Sequence, residues 1–134
     1  MSKSNDLQGN VLNAIAGEIV DERIAQLDKW GVQSHPSYHS ANAVRQMAVL
    51  ADRWKQINDA RVQDGSTAWD GILLEEVYEA LAEIDPLLRR AELIQVAAVA
   101  AAEVEAIDRA IEAGVYDDVP VVDSDDSEDD EDAA

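Results

Sequence analysis

The chain has 134 residues, 47% apolar but only 4% aromatic, and a formal net charge of −19. That length suits one domain with a small core, and the scarcity of large rings leaves aliphatic side chains and Ala to fill it, which favours closely packed helices over a sandwich. Cysteine is absent, which excludes disulfides, thiolate metal sites and cysteine nucleophiles, and two histidines alone cannot easily close a tetrahedral zinc site.

No apolar run reaches the ~18 residues of a membrane span, and Met1 to Asp6 lacks the charged-then-apolar order of a signal peptide. The expectation is therefore a cytoplasmic protein with no membrane partner. Ten of the 29 acids lie between Asp117 and Asp132, a stretch with no base. Such a segment repels itself and has little apolar surface to bury, so residues 117–134 read as a disordered acidic tail behind a domain at 1–116. The excess of acids also argues against a nucleic-acid partner, since phosphate contacts need Lys and Arg.

A first helix is expected from about Leu7 or Asn10 to Lys29, with Val11, Leu12, Ile15, Ile19, Ile24 and Leu27 at helical spacing. Gly31 is its natural stop. The loop that follows carries His35, Pro36 and His39. Here Trp30 and His35 have two readings, as groups that hold a ligand or as a ring plugging the core edge beside a plain connector, while His39 reads as connector. A second helix spans Ala41 to Val62, its stripe formed by Val44, Met47, Ala48, Ala51, Trp54 and Ile57, with Trp54 in the core. Asp64-Gly65-Ser66 ends it. Ser66 or Thr67 is expected to cap the next helix, with Asp70 in its first turn.

The third helix, Thr67 to Ile84, sorts its residues on a helical wheel. Glu75, Glu76, Glu79 and Glu83 fall on one arc, and Leu73, Leu74, Val77, Leu81 and Ile84 on another. Alone, that is a solvated surface helix. The fourth, from Pro86 to about Ala113, changes the balance. Between residues 93 and 102 its one polar side chain is Gln95, and a helix this apolar is expected to be covered on most sides, including by a second subunit. Glu92 and Gln95 then enter a buried environment, where an unpaired carboxylate is costly.

Folding back at Asp85-Pro86 puts Glu79 and Glu92 at equal distances from the turn, and likewise Glu76 and Gln95. On antiparallel helices these pairs lie at matching heights. Three carboxylates at one level repel unless they are protonated or bridged by a cation. Hard oxygen donors select Mg²⁺, with Mn²⁺ as a substitute, and Mg²⁺ readily shares its sphere with phosphates. The chemistry indicated is phosphoanhydride hydrolysis.

Glu76-x-x-Glu79, twelve intervening residues and Glu92-x-x-Gln95 closely resemble the ExxE…ExxD signature of the MazG-like, all-α nucleoside triphosphate pyrophosphohydrolases. The segment Asp28-Lys29-Trp30-Gly31-Val32-Gln33-Ser34-His35-Pro36 looks like the N-terminal part of their short bacterial and phage-encoded members. The resemblance covers roughly residues 18–110. It implies an all-α bundle of four to five helices with antiparallel core helices, assembled as a homodimer or homotetramer. It also implies Mg²⁺-dependent cleavage of a nucleoside triphosphate to monophosphate and pyrophosphate. Carried over residue by residue, Glu76, Glu79, Glu92 and Gln95 would hold the metal. Glu75 would orient water beside the catalytic Glu76 and Glu79, and Trp30 and His35 would hold the base. Lys29 or Arg53 would reach the phosphates. Gln95 departs from the pattern, which has Asp there: an amide oxygen can coordinate Mg²⁺ but brings no charge and cannot act as a base. The alternative is a catalytically reduced relative acting as an interaction protein, its acidic tail recruiting a basic partner.

Overall fold

The computed structural model describes residues 3–120, and among these the chain forms four α-helices and no strand. They are α1 (Lys3–Trp30), α2 (Ala41–Asp64), α3 (Trp69–Ala82) and α4 (Pro86–Glu112). No helix is long and apolar enough to cross a membrane among the described residues. The expected disordered tail falls largely on residues outside this range. Its first four positions, 117–120, continue a run of turns after α4, with Val115 N–H bonded to Ala110 O and Val119 N–H to Tyr116 O.

The helix ends follow local chemistry. Ser40 caps α2, its hydroxyl accepting from Ala43 N–H at 3.0 Å, and Asp85 caps α4 by accepting from Leu87 and Leu88 N–H, with Pro86 in the first turn. Such caps contribute about 1 kcal/mol each. Gly31 and Gly65 end α1 and α2 at φ +66° and +75°, a left-handed geometry that a side chain would strain. One end differs from expectation. Neither Ser66 nor Thr67 caps α3; the residue before it is Ala68, with no side-chain cap, because Asp64 captures both the amide and the hydroxyl of Ser66. Asp70 does sit in the first turn. The Gly71 N–H first, and then the Arg61 guanidinium, hold its carboxyl below the usual carboxylate range.

The helices pack in a row. α3 lies between α2 and α4, and α1 lies along α4; the backbones of α2 and α4 do not approach each other, nor does that of α1 approach α2 or α3. A row of this kind has one layer, whereas a stable core needs two. The consequence shows in the burial. Ile15, Val44, Ala51 and Ala80 are the buried hydrophobic residues among those described, and no large side chain is fully enclosed. α4 is therefore not covered as its composition led one to expect: Leu93 and Ile94 are 47% and 58% exposed. Trp54 is half-buried rather than core, with Arg61 5.6 Å from its ring.

The best-locked seam is α2 against α3. Asn58 Nδ2 donates to Gly71 O at 2.9 Å, and Gly71 is buried so closely that an added Cβ would strike Asn58 Oδ1 and stand 2.8 Å from Arg61 Nη1. Gly71→Ala should destabilise the fold by about 1–3 kcal/mol, the range for overpacking at a closed site, which thermal unfolding followed by circular dichroism would read. A melting temperature equal to wild type would contradict this seam.

Candidate metal centre

The α3 side of the site is set by helical period. Glu75, Glu76 and Glu79 lie within little more than one turn, and because α3 is the central helix their positions are half-buried rather than solvated. An outward arc on a helix that has neighbours on two sides is not a solvent arc. The sharp Asp85-capped turn then returns α4 antiparallel, and Glu92 arrives at the height of Glu79. One oxygen from each of Glu76, Glu79 and Glu92 lies within 4.8 Å of the other two. The three carboxylates thus meet across the turn.

The electrostatics of this cluster are unfavourable as they stand. Burial, and then the charges of Glu92 and Glu75, push the Glu76 carboxyl above its ordinary value. Glu79 is pushed up by burial and by Glu76, Glu75 and Glu92, with Lys55 the one neighbour working the other way. Moreover, Glu76 Oε2 and Glu92 Oε2 are shut away from solvent with no hydrogen-bond partner. Native folds rarely leave buried oxygens unpaired, because each forfeits its hydration without replacement.

A divalent cation answers both deficits. Inner-sphere oxygens of Mg²⁺, at 2.0–2.1 Å from the metal, stand about 3 Å apart when adjacent and about 4.2 Å when opposite. The spread of the three oxygens, within 4.8 Å, is close to that scale. The residues present therefore fit a hard cation with oxygen donors. Gln95, one turn beyond Glu92, is exposed.

The remaining expected residues make no recorded contact with the cluster. Trp30 is 56% exposed at the end of α1, with Lys29 Nζ 4.9 Å from its ring centre, so it is not a plug at the core edge. His35 and His39 are exposed on the 31–40 loop, and Arg53 is exposed on α2. α1 runs antiparallel to α4, with Leu7 and Val11 sharing a groove with Asp108 and Ile111, and Ile15 and Ile19 one with Val104. Continued along straight helices, that register brings the last turn of α1 level with Arg89 to Glu92. Two residues escaped the sequence reading. Lys55 is the cation facing Glu79; its signal was its place one turn from Ala51 and Asn58, on the α3 side of α2. Arg89 is buried between α3, α4 and the loop, and nothing in the sequence pattern marked it.

No protein-family profile, curated relative or solved structure matches the chain.

The cluster makes its own pH signature. Carboxyls raised in the fold bind more protons than in the unfolded chain, so stability is fully present below the ordinary carboxylate value and falls as pH rises through the raised one. Metal-free protein should therefore lose melting temperature as pH climbs from about 4 toward neutrality. Replacing Glu76 and Glu79 together by Gln should flatten that loss, and Mg²⁺ should reverse it. An unchanged slope in the double variant would count against a strained carboxylate cluster.

Proposed function

We propose that the protein is a Mg²⁺-dependent nucleoside triphosphate pyrophosphohydrolase of the MazG-like, all-α kind, with Mn²⁺ as a possible substitute. The observation that carries this reading is the meeting of Glu76, Glu79 and Glu92 across the α3–α4 turn, with two buried oxygens left unpaired. It is supported by the spacing Glu76-x-x-Glu79…Glu92-x-x-Gln95, which resembles that family's signature.

Glu76, Glu79 and Glu92 would hold the cation, and Gln95 would add a neutral oxygen after a rotamer change. The cation supplies charge neutralisation for the phosphates and a lowered pKa for bound water. The chain's own groups complete the work. Glu75, adjoining both Glu76 and Glu79, would accept a hydrogen bond from the attacking water and orient it. Lys55, which acts on Glu79 from α2, would meet the phosphates as a point charge, in place of the expected Lys29 or Arg53. The water oxygen would bond to the α-phosphorus as its proton passes to the Glu75 carboxylate, while the bond to the bridging oxygen breaks and pyrophosphate leaves with that electron pair. Trp30 and His35 would contact the base from the neighbouring end of α1 and its loop.

The same reading includes self-association. A single row of helices with Ile19, Ile24, Leu93 and Ile94 exposed lacks the second layer that a core requires, and another copy of the row can supply it. The decisive experiment is incubation with a panel of canonical and modified ribo- and deoxyribonucleoside triphosphates plus Mg²⁺ or Mn²⁺, assaying pyrophosphate. Release with at least one substrate is expected. Silence across the panel would favour the catalytically reduced alternative.

A further inference from the structure

Arg89 is a buried cation with no carboxylate partner among the described residues. Its guanidinium instead donates to three backbone carbonyls. Nη1 reaches Leu81 O and Glu83 O, each at 3.2 Å, at the C-terminal end of α3. Nη2 reaches Ser37 O at 2.6 Å, 52 positions away in the chain. The end of α3 presents carbonyls with no intrahelical partner and the negative pole of the helix dipole. Those groups offset a charge whose burial would otherwise be heavily penalised. A planar fork can serve one helix end and a separate loop together; an ammonium cannot hold the same geometry.

The fork stands where two parts of the proposed site meet. On α4 it is one turn before Glu92, and its α3 acceptors lie just past Glu79. Ser37 belongs to the 31–40 loop, which follows Trp30 and carries His35. Among the described residues, the bond to Arg89 is the one hydrogen bond tying positions 32–39 to the rest of the chain. Together the loop, the first turns of α2 and the fork line an open cleft of about 190 Å³, with Tyr38, His39, Met47 and Leu81 among its walls. It lies at the C-terminal end of α3 and not in the larger α1–α4 grooves.

We propose that Arg89 is a positioning residue that holds the 31–40 loop against the carboxylate end of the α3–α4 pair, so that a nucleotide meets a loop already in place. The consequence for substrate rests on the hydrolase reading; the anchoring of the loop does not. Ordering a loop before binding removes an entropic cost that would otherwise appear as weaker affinity.

The test uses the full chain with Arg89→Met, Arg89→Lys and wild type, in two measurements. Hydrogen exchange of the amides at 32–39 should quicken about tenfold in Arg89→Met, the scale of one or two net hydrogen bonds. KM for the best nucleoside triphosphate of the panel should rise about tenfold, with kcat changing much less. Arg89→Lys should fall between the other two in both. Unchanged exchange in Arg89→Met overturns the proposal, and so does faster exchange with unaltered KM. A kcat that collapses with lost helicity in both variants would show a merely structural arginine and also overturn it. If wild type shows no turnover, the hydrolase reading falls separately, and the exchange data still decide whether Arg89 anchors the loop.

Discussion

Glu79→Ala should lower pyrophosphate release at least about a hundredfold, since even residues that only orient metal ligands are worth about 10–100-fold. Glu79 contributes one of the three oxygens that converge within 4.8 Å, and two remaining carboxylates hold a hard cation less tightly than three. The same substitution should have the opposite effect on the metal-free fold. Burial disfavours the Glu79 charge first, and repulsion by Glu76, Glu75 and Glu92 adds to that strain, so removing its charge leaves metal-free stability equal or higher. The two effects separate a catalytic from a structural carboxylate. In wild type, Mg²⁺ at a hundred times its dissociation constant adds about 2.7 kcal/mol, a rise on the order of 10 °C in a chain of this size. In Glu79→Ala that rise should vanish. Pyrophosphate release that survives the substitution would sink the assignment, and a Mg²⁺-induced rise that persists would remove Glu79 from the metal centre.

The second large effect concerns α1 and α4. Ile19 is 46% and Ile94 58% exposed in the single chain. A Leu or Ile buried on association contributes about 1.5–3 kcal/mol, whereas a carboxylate forced into the same contact costs several. Ile19→Glu and Ile94→Glu should therefore dissociate the assembly. Because one row of helices has little core of its own, dissociation should also abolish cooperative thermal unfolding rather than release a stable monomer. Light scattering coupled to size exclusion, with melting followed by circular dichroism, reads both. A wild-type chain that runs as a 14.6 kDa monomer with a sharp melt would refute the second layer.

Much of the site was legible because its determinants are short-range. The 3.6-residue period places Glu76 one turn from Glu79, the Asp85-Pro86 signal places the turn, and counting outward from it pairs Glu79 with Glu92. Ser40, Asp85, Gly31 and Gly65 likewise act on amides within a turn of themselves, so α2 and α4 begin where expected. The errors arose where two local options competed or where length had no terminator. Asp64 took Ser66 for itself, leaving α3 to start at Trp69. α1 begins at Lys3, ahead of the expected Leu7 or Asn10, since nothing there stops the helix from starting early.

Sequence alone thus determined that this protein is helical, where its α3–α4 turn falls, and that Glu76, Glu79 and Glu92 share one height. Those properties follow from backbone periodicity and from caps that act within a few residues. Only the tertiary structure decided that α3 is the shielded middle helix, which leaves Glu76 Oε2 and Glu92 Oε2 unpaired, that Lys55 is the cation acting on Glu79, and that Arg89 gathers α3 and a loop 52 positions away. Hydropathy states how much surface must be covered, but not by what. Packing partners are long-range choices, and in this chain they leave the apolar sides of α1 and α4 open.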